Sequence, residues 1–169
     1  MMTDRKVRLG VPSDEDALLA LSMKAWGENG FMDVNPEKIR AMIRPALYLW
    51  QGVIGVIGEP NEKIEGAILL RMTQMWYSDA WLLEEKGVFV DPDYRTATLR
   101  SGQSHSHARL LVDFSKSVAD SLGIPLLIGV LSNHRTDAKV RLYERRLGNP
   151  AGAFFLYGAT TGHEDMTEH

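Results

Sequence analysis

The chain of 169 residues contains no cysteine. That absence removes disulfides, thiolate zinc sites, iron–sulfur clusters and thiol nucleophiles together. Long apolar runs are missing as well: Gly or a charge interrupts each one well short of the ~20 residues that a membrane-spanning helix needs. Met1-Met2-Thr3-Asp4-Arg5-Lys6 leads straight into mixed polar sequence without an apolar signal core, which predicts a cytoplasmic protein with no membrane partner. Basic residues are not in excess. Lys and Arg total 19 against 22 Asp and Glu, giving a net charge of -3 and a pI near 5.9. Nucleic-acid-binding domains are usually basic, so this balance disfavours nucleic acid as a general partner. Repeats and low-complexity segments are absent, and no linker divides the chain. With 44% hydrophobic and 24% charged residues, the composition is that of an ordinary globular protein. It predicts one domain over residues 1–159 and a polar tail over 160–169.

Local signals predict a mixed α/β order. Lys6 to Val11 reads as a strand, with Ser13 as the cap of a helix that Gly27 or Gly30 ends. Asn35-Pro36 starts a second helix, which Pro45 stops. Tyr48–Ile57 and Ile64–Met72 read as a hairpin around Glu59-Pro60-Asn61-Glu62. Trp81–Val90 follows as a strand whose second half is apolar on both sides, which suits a central position. A helix bearing Leu110, Leu111, Phe114, Val118 and Leu122 ends at Gly123, and Pro125–Leu131 is a short buried strand. Strand, helix and strand in this order predict a crossover with Val88–Val90 parallel to Leu126–Leu131. A helix over Arg135–Leu147 and a last strand over Gly152–Tyr157 complete the order.

Chemistry concentrates after Val90. From Tyr94 to Val112 there is no acid, but there are Arg95, Arg100 and Arg109. A small-residue loop entering a helix presents free backbone N–H groups at the positive end of a helix dipole. Ser101, Gly102, Ser104 and Ser106 leave room for phosphate oxygens, and Arg95 and Arg100 add charge with no carboxylate nearby in sequence. The pattern predicts an anion site, most simply for a pyrophosphate; a plain surface loop is the alternative. His105 and His107 stand two apart at the helix entry, where they do not face one way, and no carboxylate lies near them in sequence. They read as cap or phosphate-contacting residues, and no metal site is expected. His163, Glu164, Asp165 and His169 belong to the solvated tail. Glu84 and Glu85 fall on opposite faces of their strand, and either is a candidate general base or a plain surface charge. Tyr143, on the apolar face of the last helix, is a candidate proton donor or a core hydroxyl. Arg135, Lys139, Arg141, Arg145 and Arg146 make that helix basic.

Together these elements resemble the GNAT acyltransferase superfamily, from Val7 to Tyr157. The most specific stretch is Gly87-Val88-Phe89-Val90-Asp91-Pro92-Asp93-Tyr94-Arg95, which looks like the family's central strand and its lead into the pyrophosphate loop. Asn133 and Leu142-Tyr143 are similar to the later family signature. Among GNAT-like proteins, the small ones encoded by bacteriophages and prophages are the nearest in kind. The resemblance implies an α/β (α+β) fold: a mixed, mostly antiparallel sheet, helices on both faces, and a splayed parallel central pair that takes the pantetheine arm of acetyl-CoA. It assigns cofactor binding to Val88, Phe89, Val90, Arg95, Arg100, Ser101, Gly102, Gln103, Ser104, His105, Ser106, His107 and Asn133. It assigns the base to Glu84 or Glu85 and the acid to Tyr143. The partners it implies are acetyl-CoA and an amine acceptor, small molecule or protein, with a homodimer left open. His105 and His107 stand where the family has small residues, and the loop after Arg95 is longer than usual. A non-catalytic GNAT-like module that binds a partner or another anion is therefore the competing expectation.

Overall fold

Gly52–Ile57 and the first part of Gly66–Gln74 are apolar on both sides, and strands of that kind need cover on two faces. The computed structural model describes residues 6–95 and 106–159 and supplies that cover. Five strands, β1 (Arg8–Leu9), β2 (Gly52–Ile57), β3 (Gly66–Gln74), β4 (Trp81–Val90) and β5 (Leu126–Leu127), form one sheet in sequence order. Pairing is antiparallel except between β4 and β5, which are parallel. On one face lie α1 (Glu15–Asn29) and α2 (Pro36–Leu47), whose Leu18, Leu21, Ile43 and Leu47 pack with Ile54, Val56 and Phe89. On the other lies α3 (His107–Leu122), whose Leu111 packs with Ile57, Ile68, Leu70, Leu83 and Val90. The last helix, α4 (Thr136–Leu147), leans on α3 through Arg146 and Asp113, at 2.6 Å. No helix among the described residues is long and apolar enough to cross a membrane.

Local chemistry explains most boundaries. Asn35 Oδ1 accepts from the N–H groups of Glu37 and Lys38, and Pro36 fills a first-turn position where no N–H is needed. Gly123 closes α3 in the left-handed region, at φ 65°, which Gly adopts without a Cβ penalty. Pro45 does not stop α2. It sits in the last turn, and the chain closes two residues later with the Tyr48 N–H donating to the Pro45 carbonyl. Ser13 does not cap α1 either. It lies in a short 3₁₀ turn, Pro12–Asp14, and α1 begins at Glu15.

Two expectations at the C-terminal side are corrected. The fifth strand spans Leu126–Leu127, not Pro125–Leu131, and it pairs with Leu83 and Glu84, not with Val88–Val90. Gly152–Tyr157 is not a strand. Its alternation lacks a ladder to join, because β5 is too short to offer an edge, and Phe154, Phe155 and Tyr157 remain exposed.

Asp14 is buried where the chain enters α1, and Arg8 holds both of its oxygens at 2.8 and 2.9 Å while the Val11 N–H donates to it at 2.8 Å. Burial alone would raise its pKa, but the hydrogen bonds and charge of Arg8 outweigh burial and hold it below 3.8. A carboxylate with a depressed folded pKa stabilises the fold above its unfolded value and loses that contribution as pH falls through the folded one. Asp14→Asn is therefore expected to cost about 2 kcal/mol at neutral pH and to flatten the acid limb of stability below pH 3.8. Thermal melts of both proteins from pH 7 down to pH 3 check this.

Candidate active site

β4 and β5 stay together for two residue pairs, Leu83 with Leu126 and Glu84 with Leu127, and then part. The parting coincides with a bulge in β4: Leu69 pairs with Gly87 and Leu70 with Glu85, so Lys86 has no partner on β3. Beyond β5 the chain is held from outside the sheet. The Asn133 N–H donates to the Asn29 carbonyl, Asn133 Nδ2 donates to the Gly30 carbonyl, and Ser132 Oγ donates to Asn29 Oδ1. Lys139 Nζ reaches the same Oδ1 at 2.6 Å. The result is a V whose first arm is 85–90 of β4 and whose second arm is 128–134.

Backbone alternation sets what the first arm presents. The Asp91 N–H donates to the Glu65 carbonyl on the β3 side, so Val88 and Val90 turn their N–H and C=O groups away from β3 and into the V. Their side chains pack toward α3, and Phe89 packs toward α1.

The two carboxylates take opposite faces, as alternation predicts. Residues opposite each other in a ladder share a face. Glu84 pairs with Arg71, which touches Met42 of α2, and Glu84 binds Lys86 at 2.8 Å. Glu85 pairs with Leu70 on the α3 face. The Gly129 N–H donates to the Glu85 carboxyl, bridging the two arms just past the last backbone pair. Burial pushes the Glu85 pKa up to about 7, with a smaller push from Glu84, against the Gly129 hydrogen bond and the Lys86 charge. Tyr143 of α4 lies close enough to feel that charge. Its hydroxyl pKa is raised by burial first and by Glu85 second, so it stays protonated at neutral pH. Lys139, one turn before Tyr143 on the same helix, has its pKa lowered by burial, which the Glu28 charge opposes.

The predicted anion site falls only partly within the described residues. Arg100, Ser101, Gly102, Gln103, Ser104 and His105 lie outside the described residues. Ser106 caps α3, accepting from the Arg109 N–H at 3.4 Å. His107 turns inward: Nε2 meets Glu65 Oε2 at 2.8 Å, and the ring stacks on Tyr94. Arg95 is not free of carboxylates. Its Nη2 meets Glu28 of α1 at 2.6 Å, and its Nε donates to the Val90 carbonyl at 3.3 Å. The partner is 67 residues away in sequence, so the composition of the loop does not reveal it. Asn133 is spent on the end of α1.

Solved structures of similar architecture include an aminoglycoside antibiotic 6'-N-acetyltransferase from Acinetobacter baumannii, with 13% identity, TM-score 0.63 and coverage of 94% of this chain and 100% of the other. The ribosomal-protein-alanine N-acetyltransferase from Brucella melitensis biovar Abortus 2308 shares 11% identity at TM-score 0.59, over 89% and 97% of the two chains. An aminoglycoside acetyltransferase from an uncultured soil metagenomic sample shares 15% at TM-score 0.56, over 90% and 91%. The chain has the GNAT acetyltransferase fold. No family model matches its sequence, and no curated protein does. Within this GNAT fold, sequence reasoning missed Asn29, Gly129 and Lys139. Each acts through a partner remote in sequence, and none carries a local signal.

A buried carboxyl whose folded pKa exceeds its unfolded value favours the fold at low pH and loses that advantage as pH rises. For Glu85 the window runs from 4.5 to about 7. Glu85→Gln keeps an oxygen for the Gly129 N–H and removes the charge. The variant is expected to match the native protein at pH 4.5 and to exceed it at pH 8 by about 2 kcal/mol, a figure reduced from the full shift for residual solvent. Melting curves across that range decide it.

Proposed function

We propose that the protein moves an acetyl group from acetyl-CoA to an amine, as one domain spanning residues 1–159 in the cytoplasm. The observation that carries this reading is the parting of β4 and β5 after Glu84 and Leu127, which leaves the backbone of Val88 and Val90 facing the opening, with Glu85, whose pKa burial raises to about 7, at its root and Tyr143 within reach of its charge. The residues present suit the cofactor. Val88 and Val90 offer outward backbone groups along the V for an amide-bearing arm, and the α3 N-terminus at Ser106 supplies N–H groups for an anion.

In this mechanism Glu85 takes the proton from the ammonium form of the acceptor, directly or through water, as a base whose pKa lies near the working pH. The freed nitrogen attacks the thioester carbonyl carbon. The backbone N–H near Val90 stabilises the oxyanion, the C–N bond forms and the C–S bond breaks. Tyr143 gives its proton to the departing thiolate, which leaves as the free thiol, and the resulting tyrosinate takes the second proton from the cationic nitrogen to give the neutral amide. The similar structures support the reaction class, being described as acetyltransferases. One observation favours the rival, a GNAT-fold module without catalysis. Arg95 is engaged by Glu28, which leaves less free positive charge near the entry to α3.

Tyr143→Phe is expected to lower turnover at least about tenfold with acetyl-CoA affinity little changed. Thiol-release kinetics and calorimetry on the same two proteins read both quantities, and a normal rate removes Tyr143 from the mechanism. Glu85→Gln should abolish the rising limb of the rate profile near pH 7, while a limb that persists assigns the proton to another group. Failure of the native protein to bind acetyl-CoA favours the non-catalytic module.

A further inference from the structure

We propose that the cleft on the α2 face of β3 and β4 binds the acceptor, and that the acceptor is an amine carrying a carboxylate and a flat apolar group. The fate of the amine rests on the acetyl-transfer reading above; the binding does not. The cleft has a volume of about 370 Å³, and its lining includes Met42, Gln51, Arg71, Thr73, Trp81 and Lys86. That lining contains two cations and no acid.

Arg71 is the residue that selects. It is half-buried, and its hydrogen-bond partner among the described residues is the Met42 sulfur at 3.5 Å. Thioether sulfur is a weak acceptor and carries no counter-charge. Glu84 is the carboxylate opposite Arg71 in the ladder, yet it is turned to Lys86 at 2.8 Å. A half-buried guanidinium in this position lacks the planar, bidentate partner that a carboxylate supplies.

The rim supplies the apolar half of the preference. Trp81 lines the cleft and is 44% exposed, and Trp50 lines an adjoining hollow that shares Met42, Gln51 and Arg71. Trp76 and Tyr77, in edge-to-face contact on the turn between β3 and β4, extend the exposed aromatic surface at this end of the sheet. Exposed aromatics gathered beside a cation mark a recognition surface more than a scatter of single residues does. Lys86 in the lining is the bulge residue of β4 and the chain neighbour of Glu85, whose carboxyl lies on the other face, so the amine of a bound acceptor reaches the proposed base through the gap where β4 and β5 part. A polyamine would set like charge against Arg71, while Lys86 is already paired with Glu84.

The test reads binding to the full chain without acetyl-CoA, by calorimetry, using phenylalanine, phenylalaninamide and spermidine as probes. Phenylalanine is expected to bind at least about tenfold more tightly than its amide, as a charge-assisted contact requires, and spermidine more weakly than either. Arg71→Gln should abolish the preference for the acid, and Arg71→Lys should keep part of it. Equal affinity for acid and amide, tighter binding of spermidine, no binding of phenylalanine, or an unchanged preference in Arg71→Gln overturns the proposal. If Arg71→Gln does not fold, the acid–amide comparison on the native chain still decides. Thiol release is measured separately, so its absence overturns the acetyl-transfer reading and leaves the binding result intact.

Discussion

Backbone pairing between β4 and β5 ends after Glu84 and Leu127, and the candidate site is built on that ending. An interior strand that loses its neighbour leaves N–H and C=O groups without partners, which a folded protein must satisfy some other way. Here the Glu85 carboxyl takes the Gly129 N–H immediately past the last pair, and Arg95 covers the Val90 carbonyl at the far end. Between them the Val88 backbone groups and the Val90 N–H keep an open polar edge. The bulge at Lys86 lets the strand pass from pairing to openness without a break in its pairing to β3.

Charge is distributed unevenly around this opening. On the α3 face burial raises the Glu85 pKa to about 7, so it half gives up its charge at neutral pH, while Tyr143 keeps its proton. On the α2 face Arg71 keeps a charge that no acid in the cleft balances. The proposed proton transfer and the proposed ligand recognition thus fall on opposite sides of one strand, and two consecutive glutamates with different partners separate them.

Much of the fold was legible because its determinants are local. Asn35-Pro36 and Gly123 mark helix ends through their own backbone chemistry, and Pro92 ends β4 for the same reason. The division of Glu84 and Glu85 between faces followed from alternation. What escaped depends on distant partners. The length of β5 and the absence of a strand over 152–157 turn on which edges are available, and no segment encodes that alone. Arg95 reads as a free cation until Glu28 arrives from α1, and His107 reads as a cap or phosphate-contacting residue until Glu65 draws it inward.

The fixing of Ser132 and Asn133 to the end of α1 has a mechanical consequence. Asn29 and Ser132 are 103 residues apart, yet one side-chain oxygen gathers Ser132 Oγ and Lys139 Nζ while the neighbouring backbone takes Asn133. The second arm of the opening is therefore held at two places, the two-residue ladder and Asn29. Its position is governed by a helix that contributes no group to the proposed chemistry, so a change at the tail of α1 can retune the site without touching it.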